Sequence, residues 1–378
     1  MNARRISILV LSLILIAAVF AGAMNVLRGE TEPVVRPQLA NVRDYSPAAQ
    51  GPSYAVDGGA LFAGVPNYWT QVQTPAGVIV SAVAVDAQNP DLVYIGAANE
   101  MAIYRSTDAG DSWDRIPLTS EAIGGVTDLA LDSVQRLVYV GTDTAGVFRL
   151  RDVGSSVIVG GQLLLEEPVV EVAADSTGKG MAFARTQWNL YRAENFGMTW
   201  TTVTNLKSVP TALAIANTEP AKVYVGTMDR GLLVSEDGQT WTTANEGLGL
   251  VPGSRLQVND LAVDPQQPEV VYVATSYLYG TSEVHEAPAG VAMSTDSAEA
   301  FHPIAGQMDV VVADLMPVPG MTGAVYALTT QSRTPLALGN APVATEVAVA
   351  PAAESGLSFS AILAWIVAGL AAAALAFA

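Results

Sequence analysis

From residue 80 onward the chain repeats one pattern of apolar and polar positions. A mainly apolar or alternating stretch, Val80-Ser-Ala-Val-Ala-Val-Asp86, recurs at residues 126–132, 169–175, 210–216, 258–264 and 310–316, and four of the six copies close on aspartate. Behind each comes a denser apolar run, Leu92-Val-Tyr-Ile-Gly96 in the first copy and Leu137-Val-Tyr-Val-Gly141, Lys222-Val-Tyr-Val-Gly226 and Val270-Val-Tyr-Val-Ala274 in later ones. Alternation predicts half-buried strands, and unbroken runs predict strands buried on both faces. A third short run follows, as in Ala102-Ile-Tyr-Arg105 and Asn189-Leu-Tyr-Arg192. A fourth opens on an aromatic residue in Trp113-Asp-Arg-Ile116, Trp200-Thr-Thr-Val203, Trp241-Thr-Thr-Ala244 and Phe301-His-Pro-Ile304. Four strands per repeat at a spacing of roughly 40 to 55 residues predict a closed array of small sheets.

The turn between the third and fourth strands is the most specific signal. In Ser106-Thr-Asp108-Ala-Gly110-Asp-Ser112-Trp113, Asp108 can accept hydrogen bonds from backbone N–H groups just ahead, and Gly110 supplies a positive φ. Weaker copies keep Asn195, Gly197 and Trp200 in one repeat, Asp237, Gly238 and Trp241 in another, and Asp296 in a third. The turn resembles the Asp-box (BNR-type) repeat of β-propellers, with a complete match at residues 106–113. The expected fold is an all-β, six-bladed β-propeller over residues 60–338. A stray fourth-strand pattern, Tyr68-Trp69-Thr-Gln-Val72, precedes the first full repeat, while the sixth lacks a fourth strand. Trp69 and Val72 are therefore expected to complete the last blade and close the ring.

The flanks differ from the repeats. Residues 6–26 form a charge-free, mainly apolar run behind Arg4 and Arg5, the charge order of an export signal. Ala21-Gly22-Ala23 suits a cleavage site, but the run is long enough to span a bilayer, which favours an uncleaved anchor over residues 1–28. Residues 357–378 are charge-free and rich in Ala and Leu, and are expected to form a second transmembrane helix. Residues 29–59 carry Pro33, Pro37, Pro47 and Pro52 and read as an extended linker, as do residues 339–356. This topology expects the propeller on the periplasmic or extracellular side of a bacterial cytoplasmic membrane.

Charge narrows the partners. The chain has 36 acidic and 18 basic residues; setting aside Arg4 and Arg5 leaves 16 basic residues outside the membrane against all 36 acidic ones, a net −20. Nucleic acid and anionic headgroups are poor partners for such a surface. Cysteine is absent, so neither disulfides nor thiolate metal sites are expected.

No residues converge on a reaction. His285 and His302 are the only histidines, and no metal or cofactor is expected. Arg115-Ile116-Pro117 matches a sialidase motif in letters, but strand register explains Ile116 and turn chemistry Pro117. The stretch from Ala84 to Trp113 resembles xyloglucan-hydrolysing propellers, in residues that are scaffold in that family too. Asp86, Asp132, Asp175 and Asp264 recur at the end of first strands, as structural turn residues would, and no pair among the carboxylates stands out as an acid and its partner. The fifth repeat is lengthened by residues 276–288, where Tyr277, Tyr279, Glu283 and His285 form a candidate partner loop.

Among Asp-box propellers the chain most resembles the non-enzymatic photosystem-assembly-factor-like and sortilin-like group. The resemblance implies a protein-interaction, assembly or stability subunit of a membrane protein complex, with integral membrane subunits as partners and no catalytic residue. The alternative reading is a glycan-binding or sialidase-like hydrolysing propeller.

Overall fold

The computed structural model describes residues 38–65, 68–119, 122–249, 251–305 and 308–343. They form seven antiparallel sheets, each built from consecutive strands, so the ring has seven blades and not the six expected. The first strands of neighbouring blades lie against one another and surround a central channel. They span Val42–Ser46, Val80–Val85, Val126–Asp132, Val169–Ala174, Pro210–Ala216, Arg255–Val263 and Val312–Pro317, in blades 1 to 7.

The extra blade comes from the chain read as a linker. Val42–Ser46, Ser53–Asp57, Ala60–Val65 and Tyr68–Val72 pair in order as blade 1. Its prolines do not interrupt it, because Pro47 and Pro52 fall in the connection between the first two strands. Trp69 and Val72 therefore do not complete the last blade: Trp69 pairs with Gly64 and Val72 with Leu61 inside blade 1. Among the described residues no helix is long and apolar enough to cross a membrane, and the architecture is β throughout. The transmembrane helices expected at residues 1–28 and 357–378 lie outside the described residues.

The core sits between blades. Each of the seven apolar clusters draws its side chains from two neighbouring blades. This explains the glycine in the Val-Tyr-Val-Gly runs. A Cβ on Gly96 would lie 2.4 Å from Val126 of the next blade, one on Gly141 2.8 Å from Val169, and one on Gly226 2.6 Å from Val258. A fully buried valine contributes about 1.5–3 kcal/mol, so the missing side chain on one blade lets the next dock.

The ring closes by the same packing. Leu39, Val42, Ala55 and Trp69 of the blade 1 side meet Met316, Ala324 and Tyr326 of blade 7. Val42 N donates to Arg333 O at 3.1 Å, Arg333 Nε donates to Val42 O at 2.7 Å, and Tyr45 Oη donates to Pro317 O at 2.9 Å. Blade 7 has three strands among the described residues, ending with Leu336–Gly339.

Candidate functional site

Three regions position chemistry: the blade-to-blade turns, the central channel, and the face on which the blade 6 hairpin stands.

In the turn of blade 2, Gly110 N donates to Ser106 Oγ at 2.8 Å, Ser112 N to Asp108 Oδ1 at 2.9 Å, and Ser112 Oγ to Asp108 Oδ2 at 2.5 Å. The Ser112 hydroxyl foremost, with the Ser106 hydroxyl and Ser112 N, holds the Asp108 carboxyl below the usual range. Trp113 Nε1 reaches back to Gln73 O in blade 1 at 2.9 Å, and Tyr54 Oη of blade 1 donates to Ala109 O at 3.3 Å. The turn thus ties one blade to its predecessor. Asp237 in blade 5 accepts from Thr240 N at 2.6 Å and Gln239 N at 2.7 Å, which depress its pKa. Asp296 in blade 6 keeps the pattern without a glycine, Ser297 and Ala298 taking φ of 59° and 70° themselves. In blade 4 Ala193 stands where the others have serine. Asn195 and Gly197 still adopt positive φ, and Trp200 meets Tyr139 edge-on with ring centroids 6.0 Å apart, but the Tyr139 hydroxyl is left without a hydrogen-bond partner. Trp241 packs the same way on Phe183.

Blade 3 has no such turn and uses a buried charge cluster. Asp152 Oδ2 accepts from Tyr94 Oη of blade 2 at 2.5 Å and from Arg105 Nε at 2.7 Å, while Oδ1 accepts from Gly154 N at 2.6 Å and Arg136 Nη2 at 3.3 Å. Burial by itself would raise the Asp152 carboxyl. The Tyr94, Gly154 and Arg105 donors outweigh it and hold the group below its ordinary value. Nothing in the sequence reading singled out Arg105 or Asp152.

The channel holds a second arrangement that sequence reasoning missed. Every first strand carries a β-bulge, with Arg43, Ser81, Thr127, Val170, Thr211, Asn259 and Ala313 skipped in the pairing. The residue after the bulge is acidic in five blades: Asp44, Asp128, Glu171, Asp260 and Asp314, all lining a channel cavity of about 320 Å³. A bulge turns this side chain toward the neighbouring strand. Asp44 Oδ2 accepts from Val83 N of the next blade at 2.6 Å, Asp128 Oδ2 from Val172 N at 2.7 Å, and Asp260 Oδ2 from Leu315 N at 2.6 Å. Glu171 is paired with Arg185 at 2.9 Å, and Asp314 with Arg333 at the closing seam. Burial raises Asp44 to about 6 and pushes Asp128 and Asp260 well above the carboxylate range, with repulsion from other channel carboxylates adding to it. Burial also raises Glu171, against the pull of Arg185. The Oδ2 atoms of Asp44, Asp128 and Asp260 each join two blades, and among the described residues no three acidic or histidine side chains are grouped to hold a metal.

Asp86, Asp132, Asp175 and Asp264 accept from backbone N–H groups of the following turn, for example Gln88 N to Asp86 Oδ1 at 2.8 Å and Thr177 N to Asp175 Oδ1 at 2.7 Å. Asp264 also receives Gly320 N from blade 7 at 2.9 Å.

The candidate partner loop is an ordered hairpin. Val271–Tyr279 and His285–Ser294 are long strands, and their pairing continues to Tyr279 opposite His285. The Tyr279 and His285 rings stack with centroids 5.4 Å apart, Tyr277 Oη donates to Gly249 O at 3.0 Å, and Glu283 lies exposed in the turn. By strand direction this turn shares an end of the ring with the other second-to-third-strand turns. Blades 4 and 5 expose Trp188 and Met228 at that end, and the blade 2 to 3 connection exposes Ile123 at 96%.

No family model and no curated protein sequence matches the chain. Solved structures do. A GH74 xyloglucanase from Xanthomonas campestris superposes with a TM-score of 0.58 at 18% identity over 78% of this chain and 52% of its own, so the chain spans about half of that enzyme. YCF48 bound to a D1 peptide gives 0.56 at 14% identity, covering 80% of this chain and 94% of the other. A chain of the mitotic checkpoint complex gives 0.54 at 10%, covering 81% and 90%. At these identities the likeness speaks to architecture, and with the seven cyclically packed sheets it establishes that this chain is a β-propeller.

Proposed function

We propose that this chain is a non-enzymatic Asp-box propeller acting as an assembly or stability subunit of a membrane protein complex, on the periplasmic or extracellular side of a bacterial cytoplasmic membrane. One observation carries the reading: consecutive blades 4, 5 and 6 expose Trp188, Met228 and the Tyr279–His285 hairpin at one end of a rigid ring. Exposed aromatic and sulfur-bearing side chains on a rigid support are the usual anchors of protein interfaces. The excess of acidic residues favours a partner surface with basic character. The likeness to YCF48, seen with a bound peptide, adds support at the level of fold. The charge order of residues 1–26 supports the location.

The test is purification of the tagged full chain from its native membranes in mild detergent, alongside Trp188→Ala and Tyr279→Ala. Integral membrane subunits co-purify with the native chain, and each substitution weakens recovery by about tenfold or more if the anchor contributes about 2 kcal/mol. Turnover of a sialoside or β-glucan by the purified chain, abolished by one carboxylate change, would replace this reading with the glycan one.

A further inference from the structure

The outer rim of blade 3 differs from the other rims. Its outermost strand, Val157–Leu163, has seven residues, whereas the outermost strands of the other blades, from Thr242–Thr243 up to Tyr68–Val72, have two to five. It carries neither charge nor proline, and Ile158 and Val159 stand exposed on it. Sheet edges are blunted by shortness, charge or proline, as in Asp114–Pro117 and His302–Ala305. Val157–Leu163 has one protective device, the bulge that skips Gly160. It pairs with Val147–Asp152 alone, so its outward backbone N–H and C=O groups have no ladder partner among the described residues.

Basic side chains flank this edge. Arg149 and Arg151 alternate on Val147–Asp152 and so share a face, with Arg151 opposite Ile158 and Arg149 opposite Gly161. Neither has an ion pair among the described residues, although acidic residues outnumber basic ones by 36 to 18. Gly160 and Gly161 take no positive φ, so the backbone there does not call for glycine. Space does: a Cβ on Gly160 would lie 2.9 Å from Arg149 Nη1. The Arg149 side chain, steadied by Nε donating to Phe196 O of blade 4 at 2.6 Å, thus lies across the edge strand.

An uncharged, open edge selects an extended chain, and the two guanidinium groups select its side chains. A strand added outside Val157–Leu163 runs about 4.8 Å beyond it, and its alternate residues fall about 7 Å apart on one face, the same repeat as Arg149 and Arg151. Carboxylates at those positions meet the guanidinium groups in charge-assisted hydrogen bonds. A second copy pairing edge to edge would instead bring its own Arg149 and Arg151 to the same face, like charge beside like charge.

The geometry points to blade 3 as the receptor for an extended acidic segment of a partner protein, which adds along Val157–Leu163 as a fifth strand and presents carboxylates at alternate positions to Arg149 and Arg151. This edge lies on the rim of the ring, apart from the end that exposes Trp188 and Met228.

The test uses the full chain and a labelled synthetic peptide, Thr-Val-Glu-Val-Glu-Val-Thr, with a control in which lysine replaces both glutamates. At saturation the glutamate peptide is expected to slow amide exchange within Val157–Leu163 by about tenfold. Arg151 is exposed, and Arg151→Glu is expected to weaken binding, read by fluorescence anisotropy, by about tenfold or more. The lysine peptide is expected not to bind. Slow exchange of this strand without peptide, growing with protein concentration, would assign the edge to a second copy and overturn the proposal. No binding of the glutamate peptide up to about 1 mM, equal binding of the lysine peptide, binding undiminished by Arg151→Glu, or binding that leaves exchange in Val157–Leu163 unchanged would each overturn it as well.

Discussion

The turns of blade 2 and blade 3 do the same job with opposite chemistry. Both join a blade to its predecessor, and both receive a tyrosine hydroxyl from the second strand of that predecessor, Tyr54 in one case and Tyr94 in the other. Blade 2 uses an exposed carboxylate that organises its own backbone, leaving the contact itself to Trp113 and Gly110. Blade 3 places the carboxylate in the contact, where Asp152 has a side-chain exposure of 2% and faces two guanidinium groups. A turn that keeps its charge in water tolerates decay, as the blade 4 and blade 6 copies show. A turn that buries its charge needs every partner in place.

The largest expected effect is therefore at Asp152. Asp152→Ala leaves Arg105 buried without its counter-charge and should destabilise by about 3–5 kcal/mol in denaturant unfolding; a loss below about 1 kcal/mol would show that water replaces the carboxylate easily. Next comes Gly110→Ala, whose Cβ meets Val72 while φ is +101°. A loss of about 2 kcal/mol is expected, and Val72→Ala should recover part of it in a double-mutant cycle.

Asp44 sharpens the contrast, being a channel carboxylate held by two backbone N–H groups, Val83 at 2.6 Å and Tyr45 at 2.8 Å, with burial as its dominant influence. Its pKa is raised in the folded chain to about 6. The folded state thus binds the proton more tightly than the unfolded one, and stability from this group falls as pH rises from about 4 through 6. Relative to native protein, Asp44→Asn should flatten the fall of Tm across that window, a difference of about 1–3 kcal/mol. Parallel curves would sink this account. The smallest effect belongs to Asp108→Ala, since water can satisfy the freed N–H groups; of the four variants its unfolding midpoint should stay nearest the native one.

Much of the fold is legible in the letters, and for physical reasons. Second strands buried on both faces must be apolar, and the glycine ending Leu92-Val-Tyr-Ile-Gly96 marks where Val126 docks. Blade 1 escapes because its first strand, Val-Arg-Asp-Tyr-Ser, faces the channel and is half polar, and because its turns hold the prolines that elsewhere mark linkers. Its one clear signal was Asp57-Gly58-Gly59, a hairpin turn whose glycines adopt φ of 59° and 86°. The channel carboxylates were visible as Val126-Thr-Asp128-Leu and Val258-Asn-Asp260-Leu. A bulge is a backbone event with no letter of its own, so the pattern gave no reason to aim those side chains at the next blade. Tyr277, Tyr279 and His285 were legible as an insertion but not as strand, because Gly280 and Pro288 interrupt the alternation; the two strands nevertheless pair across the turn, with Tyr279 opposite His285.

Because the described chain both enters and leaves at the seam of blades 1 and 7, any load drawn through its two ends falls first on that joint. Arg333, which grips Val42 O while paired with Asp314, stands where such a load would concentrate. Peeling would start there and proceed sheet by sheet, leaving the remaining six junctions to yield in turn, so the molecule resists pulling as a chain of latches with one exposed first catch.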